Sequence, residues 1–377
     1  MKIVIISGTM YPHINARSFR TTELAKGLAK MGHDVKLYTI LGNYDYSKME
    51  EEFPHLHIKT LGKTHFGNFD SDGIEHMSFI NRVLRRLLYN VIDYPRCEYI
   101  FKTYSALKKE SSFDLLITIA HPFGTHWGAA FFKKRHPGLF KKWISDCGDP
   151  FMGNPVETER WHIFLEPLER FWCKQTDLIA IPVSDGISGY YKEFRDKIVI
   201  IPQGIDFNSI VLAKYIKNDV PTFLYSGAVY TGVRDPREFL EYLSSLKHDF
   251  RFYVYSPSDK VFGEFKSILG DRLIINRYIP RKELIKIMSR MDFLINVNNN
   301  STVQAPSKLI DYALSGRPIL NISTQFTQFE RNAFEAFVNG DYSAQYIVPN
   351  IERYDSKNVC KQFVDAYESL CVKDKIY

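Results

Sequence analysis

The segment APSKLIDYALSGRPILNI, from Ala305 to Ile322, holds the residue types with the clearest chemistry. Pro306 disfavours helix for Ala305 before it, Ser307 suits a cap, SKLIDYALS fits a short helix, and Gly316 with Pro318 stops it. A helix that starts directly after a strand and loop opens onto the crevice where open α/β sheets bind ligands. Its first turn offers backbone N–H groups and about half a positive charge, a seat for a pyrophosphate. Lys308 adds a full charge there and Ser307 a hydroxyl. Asp311, four residues after Ser307, projects from the same helix face and could accept hydrogen bonds from ribose hydroxyls. The same residues also fit a plain reading, as solvated side chains on a capped helix.

A second cluster is YSGAVYTGVRDPREF, Tyr225 to Phe239. Gly227 and Gly232 permit close backbone approach, and Arg234 stands just before the next helix, where it could bind phosphate or pair with Asp235. No G-x-G-x-x-G follows either leading strand, which argues against a dinucleotide cofactor. In the first half, AHPFGTHWGA places His121 and His126 beyond an apolar strand, and either imidazole could donate to a phosphate or a reacting hydroxyl. ISDCGDPF adds Asp146 and Asp149 at another strand end, where a carboxylate could position an acceptor hydroxyl, with Asp149 equally a turn residue before Pro150. Asp70 and Asp72 form a D-x-D, but FGNFDSDGIEH lacks the strand-end setting that metal ligation of a nucleotide sugar needs, so no metal site is expected.

These residues need a framework, and the chain supplies an alternating one. KIVIIS reads as a buried parallel strand; a loop, an apolar-periodic helix stopping at Gly32 and a second strand follow it. The alternation runs on through DLLITIA, a helix near Thr125 to Lys134, KWISD, a helix near Glu159 to Lys174, and DLIAIPV. After a polar stretch it restarts at TFLYSG with RFYVYS, LIIN, DFLINV and PILNI as further strands. The 377 residues therefore read as two Rossmann-like α/β domains with parallel sheets facing a cleft. The expected divisions are 1–203 for an acceptor-binding domain, 204–350 for a nucleotide-sugar-binding domain, and 351–377 for a helix packing back on the first.

Composition excludes other classes. With 45% hydrophobic and 24% charged residues the chain is globular, and its five scattered cysteines without a C-x-x-C fit a reducing compartment. The opening apolar run is too short for a signal peptide, and no long apolar run follows, so a cytoplasmic protein is expected. The net charge of +6 is mild, and no aromatic-interleaved basic ribbon suggests nucleic acid. Arg82, Arg85 and Arg86 lie in an amphipathic stretch that fits either a solvated helix or peripheral contact with an anionic inner membrane.

Taken together the motifs resemble retaining glycosyltransferases of the two-domain GT-B fold, in particular the family 4 group with many bacterial cell-surface polysaccharide enzymes. KIVIISGTMYPHINARS with GHDV at Gly32 to Val35 is similar to the family's opening. Asp146 to Phe151 resembles its D-x-x-D-P-aromatic strand end, and Ile201 to Asp206 its domain junction. Tyr230 to Pro236 and Ser307 to Pro318 resemble its donor loop and donor helix.

The resemblance implies that Arg234 and Lys308 hold the donor diphosphate, that Asp311 holds the ribose, and that the backbone near Tyr278 and Ile279 faces the base; Ser307, through its hydroxyl, and Gly227, through close backbone approach, join the donor site on their own reading. Gly8 and Thr9 would approach the diphosphate from the first domain, Asn15 and Arg17 would meet the acceptor, and His121, His126 or Asp149 would act at the reaction centre. The family often carries two glutamates where this chain has Val303 and Asp311, so the donor contact is altered. The implied activity is metal-independent, retaining transfer of a hexose from a nucleotide-diphosphate sugar to a glycan or lipid-linked acceptor, with no cofactor. A nucleotide-sugar epimerase would instead need no acceptor, and a non-catalytic assembly partner would bind the donor without consuming it.

Overall fold

KIVIIS forms β1 (Lys2–Ser7), buried from Ile3 onward on both faces, as a strand covered by helices must be. The computed structural model describes residues 1–13, 15–63, 79–154, 162–229, 231–232, 234–257, 259–277, 279–298 and 307–376. After β1 come α1 (Ala16–Lys30), β2 (Asp34–Thr39), α2 (Ser47–Glu52), β3 (Leu56–Thr60), α3 (Phe79–Ile92), α4 (Glu98–Leu107), β4 (Phe113–Ile119), α5 (Gly124–Arg135), β5 (Phe140–Asp146), α6 (His162–Gln175), β6 (Leu178–Ile181) and β7 (Ile198–Ile200). Among the described residues these strands make one parallel sheet ordered β3-β2-β1-β4-β5-β6-β7. The sequence reading gave no strand for Leu56–Thr60. That strand is the sheet edge, with only Leu56 and Ile58 buried, too little apolar signal to stand out.

The second cycle holds β8 (Thr222–Ser226), α7 (Arg237–Ser245), β9 (Arg251–Tyr255), α8 (Asp259–Leu269), β10 (Leu273–Asn276), α9 (Arg281–Met288), β11 (Phe293–Val297), α10 (Ser307–Leu314), β12 (Ile319–Ile322), α11 (Gln328–Val338) and α12 (Ser356–Ile376). Among the described residues its sheet is parallel and ordered β10-β9-β8-β11-β12. The chain divides into two units, Met1–Ile205 with Arg353–Tyr377, and Asp206–Glu352. In each sheet the strand order reverses once, beside β1 and β4 in the first and beside β8 and β11 in the second. Open α/β sheets bind ligands at the carboxyl ends of the strands flanking such a reversal.

The helix α12 belongs to the first unit, where Val359, Cys360 and Phe363 join Leu24 and Leu28 of α1 in one core. Gly27 permits this approach, because a Cβ there would lie 2.3 Å from Cys360 Sγ. Overpacking costs about 1–3 kcal/mol, against about 1 kcal/mol that alanine gains over glycine in a helix. Gly27→Ala is therefore expected to lower the thermal midpoint of the first unit, and the loss to shrink in a Cys360→Ala background. Equal losses in both backgrounds would show that this contact does not limit the packing.

Candidate active site

At the reversal of the second sheet, β8 ends at Ser226 with Gly227 directly after it, and the chain leaving β11 leads into α10. Gly227 has φ +130°, a conformation that side-chain-bearing residues rarely adopt, and its N–H donates to Tyr255 O at 3.0 Å. Tyr312 of α10 is buried and its phenol oxygen accepts from Ser226 N at 2.7 Å, which docks the helix onto the end of β8. Tyr225 in turn donates its phenol hydrogen to Ala228 O at 3.0 Å, bracing the turn that carries Gly227.

Lys308 sits in the first turn of α10, with its Nζ 4.7 Å from the centre of the Tyr225 ring. The residue is partly exposed as a whole, but its Nζ is shut off from solvent and has no hydrogen-bond partner among the described residues. Burial, with a further push from the Arg234 guanidinium nearby, holds its ammonium well below the ordinary lysine range. Asp235, which the sequence offers as a mate for Arg234, is bonded to Arg237, whose Nη1 donates to Asp235 Oδ2 at 2.5 Å. Two cations thus converge on a helix N-terminus, and among the described residues no carboxylate is bonded to the lysine. A buried, unpaired cation costs several kcal/mol, and an arrangement of this kind is what an anionic ligand requires.

Asp311 stands one turn further along α10, with Arg281 from the start of α9 gripping it. Arg281 Nε donates to Asp311 Oδ1 at 2.6 Å, and among the described residues both guanidinium contacts go to that oxygen. Burial raises the Asp311 carboxyl and Arg281 offsets part of the rise. Ile279 packs beside the core cluster of Leu284, Met288 and Tyr312. Tyr278 and the side chain of Ser307 lie outside the described residues, as do Asp70 and Asp72. The structure therefore gathers Gly227, Arg234, Lys308 and Asp311 about one strand reversal.

At the reversal of the first sheet, Gly8 follows β1 and His121 follows β4. A Cβ on Gly8 would lie 2.4 Å from Pro122 Cδ, so the glycine lets the two strand-end turns touch. Thr9 is held in the same turn, its carbonyl accepting from Ser7 Oγ at 3.0 Å. His121 is half-buried, with its Nδ1 3.5 Å from Arg96 Nη1.

His126 corrects the expectation placed on it. It is fully buried on α5; its Nδ1 meets Thr118 Oγ1 at 2.7 Å and its Nε2 meets Cys147 Sγ at 3.3 Å. Burial pushes its pKa down to about 3, so it is a neutral core histidine, packed against Trp172, that cannot reach a substrate. Asp149 is exposed in the loop after β5. Asp146 is not exposed: Arg20 grips it through Nε to Oδ2 at 3.0 Å and Nη2 to Oδ1 at 2.8 Å, and it is committed to structure. Asn15 caps α1, accepting from Ser18 N at 2.8 Å. Arg17 lies across Gly148, where an added Cβ would sit 1.8 Å from its Nη2, with its other Nη 3.9 Å from Asp146.

Sequence reasoning missed Arg96, Arg281 and Tyr312. Arg281 did leave a signal, since a cation in the first turn opposes the helix dipole and needs a reason to be there.

No protein-family model matches the chain and none of the curated proteins matches it. Solved structures do match over the whole length. The apo lipopolysaccharide outer core galactosyltransferase WaaB superposes with a TM-score of 0.57 at 12% identity, covering 98% of this chain and 99% of its own. Sucrose-phosphate synthase from Thermosynechococcus elongatus gives 0.59 at 12% identity, covering 99% and 100%. HepE from Anabaena, solved in complex with UDP and glucose, gives 0.56 at 9% identity, covering 98% and 100%. Matches at such identities establish architecture. The chain has the GT-B fold, two Rossmann-like α/β domains each built on a parallel sheet.

Proposed function

We propose that the protein is a retaining, metal-independent glycosyltransferase that moves a hexose from a nucleotide-diphosphate sugar to a glycan or lipid-linked acceptor in surface polysaccharide synthesis. The observation that carries this reading is the sequestered Lys308 Nζ, with no hydrogen-bond partner among the described residues, in the first turn of α10 and close to Arg234. A diphosphate supplies an anion for the Lys308 ammonium. As the bond to the sugar breaks, negative charge grows on the leaving phosphate, and fixed cations and helix N–H groups stabilise it where it appears. They take the part that a divalent metal plays in other transferases. Asp311 Oδ2 accepts from a ribose hydroxyl, and His121, at the other strand reversal, donates to a substrate oxygen. Retention of configuration rests on the family resemblance, and the acceptor is assigned to the first unit on the same ground.

The test is to present purified protein with a panel of nucleotide sugars and follow release of the nucleoside diphosphate with and without glycan or lipid-linked acceptors. Acceptor-dependent release supports the proposal; isomerisation of the sugar nucleotide with no acceptor overturns it. Binding alone has a further signature. Lys308 starts below the ordinary lysine value of 10.5, and an adjacent diphosphate favours its charged form. Nucleoside diphosphate is therefore expected to bind with proton uptake at alkaline pH, its affinity falling as pH rises from the depressed value towards 10.5. Calorimetry in two buffers of different ionisation enthalpy reads this directly, and a proton count of zero across that range would remove Lys308 from the site.

We also assign α3 to peripheral membrane contact. Val83, Leu84 and Leu87 of this helix are 52%, 50% and 43% exposed, and Arg86 is exposed beside them. The side chains of Arg82 and Arg85 lie outside the described residues. Among the described residues no helix is long and apolar enough to cross a membrane, so the contact would be interfacial. The protein is expected to sediment with phosphatidylglycerol vesicles and to lose that binding when Leu84 and Leu87 are replaced by Ser. Equal sedimentation of the variant would refute the assignment.

A further inference from the structure

The half-buried His121 follows β4 in a crowded setting that fixes more than its position. A Cβ on Gly124 would lie 2.5 Å from Arg96 O, so the absence of a side chain there brings the backbone before α4 against the start of α5. This close approach places Arg96 Nη1 3.5 Å from His121 Nδ1, at the long end of hydrogen-bond range. The imidazole also stands edge-on to Phe123, with ring centres 5.0 Å apart. Arg96 is itself held. Its Nη1 is 3.7 Å from Asp93 Oδ1, and its guanidinium lies 5.3 Å from the centre of the Tyr89 ring. Asp93 is buried and adopts φ +52°, a left-handed conformation that aspartate tolerates better than most residues.

A guanidinium has five N–H donors and no acceptor. An imidazole nitrogen facing it can satisfy it only with a lone pair, and in a neutral ring that leaves the hydrogen on the other nitrogen. We infer that Arg96 is a positioning residue that fixes His121 in the tautomer with its hydrogen on Nε2. The consequence for turnover rests on the proposed function; the tautomer does not. Asp93 and Tyr89 serve the same end by limiting where the guanidinium can go, so that ring orientation and tautomer are settled before any ligand arrives.

The experiment is nitrogen-15 NMR of histidine-labelled full-length protein, with the His121 signals assigned by their loss in His121→Asn. Wild type is expected to show His121 with a bare Nδ1 and a protonated Nε2. Arg96→Leu is expected to lose that preference and Arg96→Lys, which still only donates, to keep it. Circular dichroism identifies any variant that fails to fold, and Arg96→Gln, whose amide can donate or accept, then replaces Arg96→Leu. In turnover assays Arg96→Leu is expected to lower kcat about 10²-fold with the donor KM little changed, as misorientation of a reacting group does, and Arg96→Lys to restore most of it. An Nδ1–H tautomer in wild type, or a tautomer indifferent to Arg96, overturns the inference while leaving glycosyl transfer untouched. A tautomer that follows Arg96 in a protein whose His121→Ala variant retains full activity would instead overturn the role given to His121.

Discussion

Lys308→Met is expected to lower donor turnover by about 10²–10³-fold, the loss typical for one group that stabilises developing charge, and at the same time to raise the stability of the second unit. The two effects have one cause. Methionine keeps the unbranched stem that lies over the Tyr225 ring and discards an ammonium that has no hydrogen-bond partner among the described residues. Replacing a buried charge by an apolar side chain of similar shape is often stabilising, by about 1–4 kcal/mol. The pH dependence follows from the direction of the shift. The lysine is held below its ordinary 10.5 in the folded chain, so its burial cost is full below the depressed value, shrinks as pH rises, and is gone by 10.5. The advantage of Lys308→Met should accordingly be largest below the depressed value and fade as pH rises towards 10.5. Thermal melts across pH, with turnover measured on the same samples, check both parts. A variant whose stability relative to wild type does not improve as pH falls would mean that the ammonium is satisfied in the free protein, and the argument for an anion site would fall.

Why so much of this site was readable in advance is a matter of local chemistry. Ser307, Lys308 and Asp311 lie within one short helix whose start and stop are written by Pro306, Gly316 and Pro318, so their mutual placement needs no tertiary information. Gly227 and Arg234 belong to a loop whose position follows from the strand before it and the helix after it. The alternation of short apolar runs with apolar-periodic stretches likewise defines the two sheets, since each strand has to be buried on both faces.

The two histidines show where that reasoning stops. His121 and His126 are five positions apart, in the turn before α5 and on its first turn, and nothing in the string AHPFGTHWGA tells which one faces inward. The answer lies in Thr118, Cys147 and Trp172, which come from β4, the end of β5 and α6 and close around His126. Arg96 was invisible for the same reason. It sits in a run that also holds the basic residues of α3, and only the closeness of α4 and α5, at Gly124 and again at Gly128, where a Cβ would meet Ile100 O at 2.5 Å, brings it to His121.

Arg20→Ala is expected to destabilise the first unit by about 3–5 kcal/mol, the usual cost of stripping one partner from a buried ion pair. In sequence Asp146 looked like a carboxylate free to position an acceptor hydroxyl, yet the structure spends it on holding three parts of the unit together. Arg20 and Asp146 are 3% and 1% exposed, and the two-pronged contact at 2.8 and 3.0 Å joins α1 to the end of β5. The same guanidinium donates to Ile201 O at 3.2 Å and to Pro202 O, fastening the chain that leaves β7. It also stacks 5.1 Å from the centre of the Phe363 ring on α12. With Arg20 gone, Arg17 at 3.9 Å is the remaining cation beside Asp146 among the described residues, and it is bound less closely. Since a two-unit chain need not melt in one step, the readout is hydrogen exchange of β1, β5 and α12 rather than a single midpoint. Arg20→Met with Asp146→Leu should recover much of the loss, because an apolar pair leaves no buried charge behind. Protection in the first unit that is indifferent to Arg20→Ala would return Asp146 to the pool of groups available for substrate, and the D-x-x-D-P segment would then have to be read as chemistry instead of scaffold.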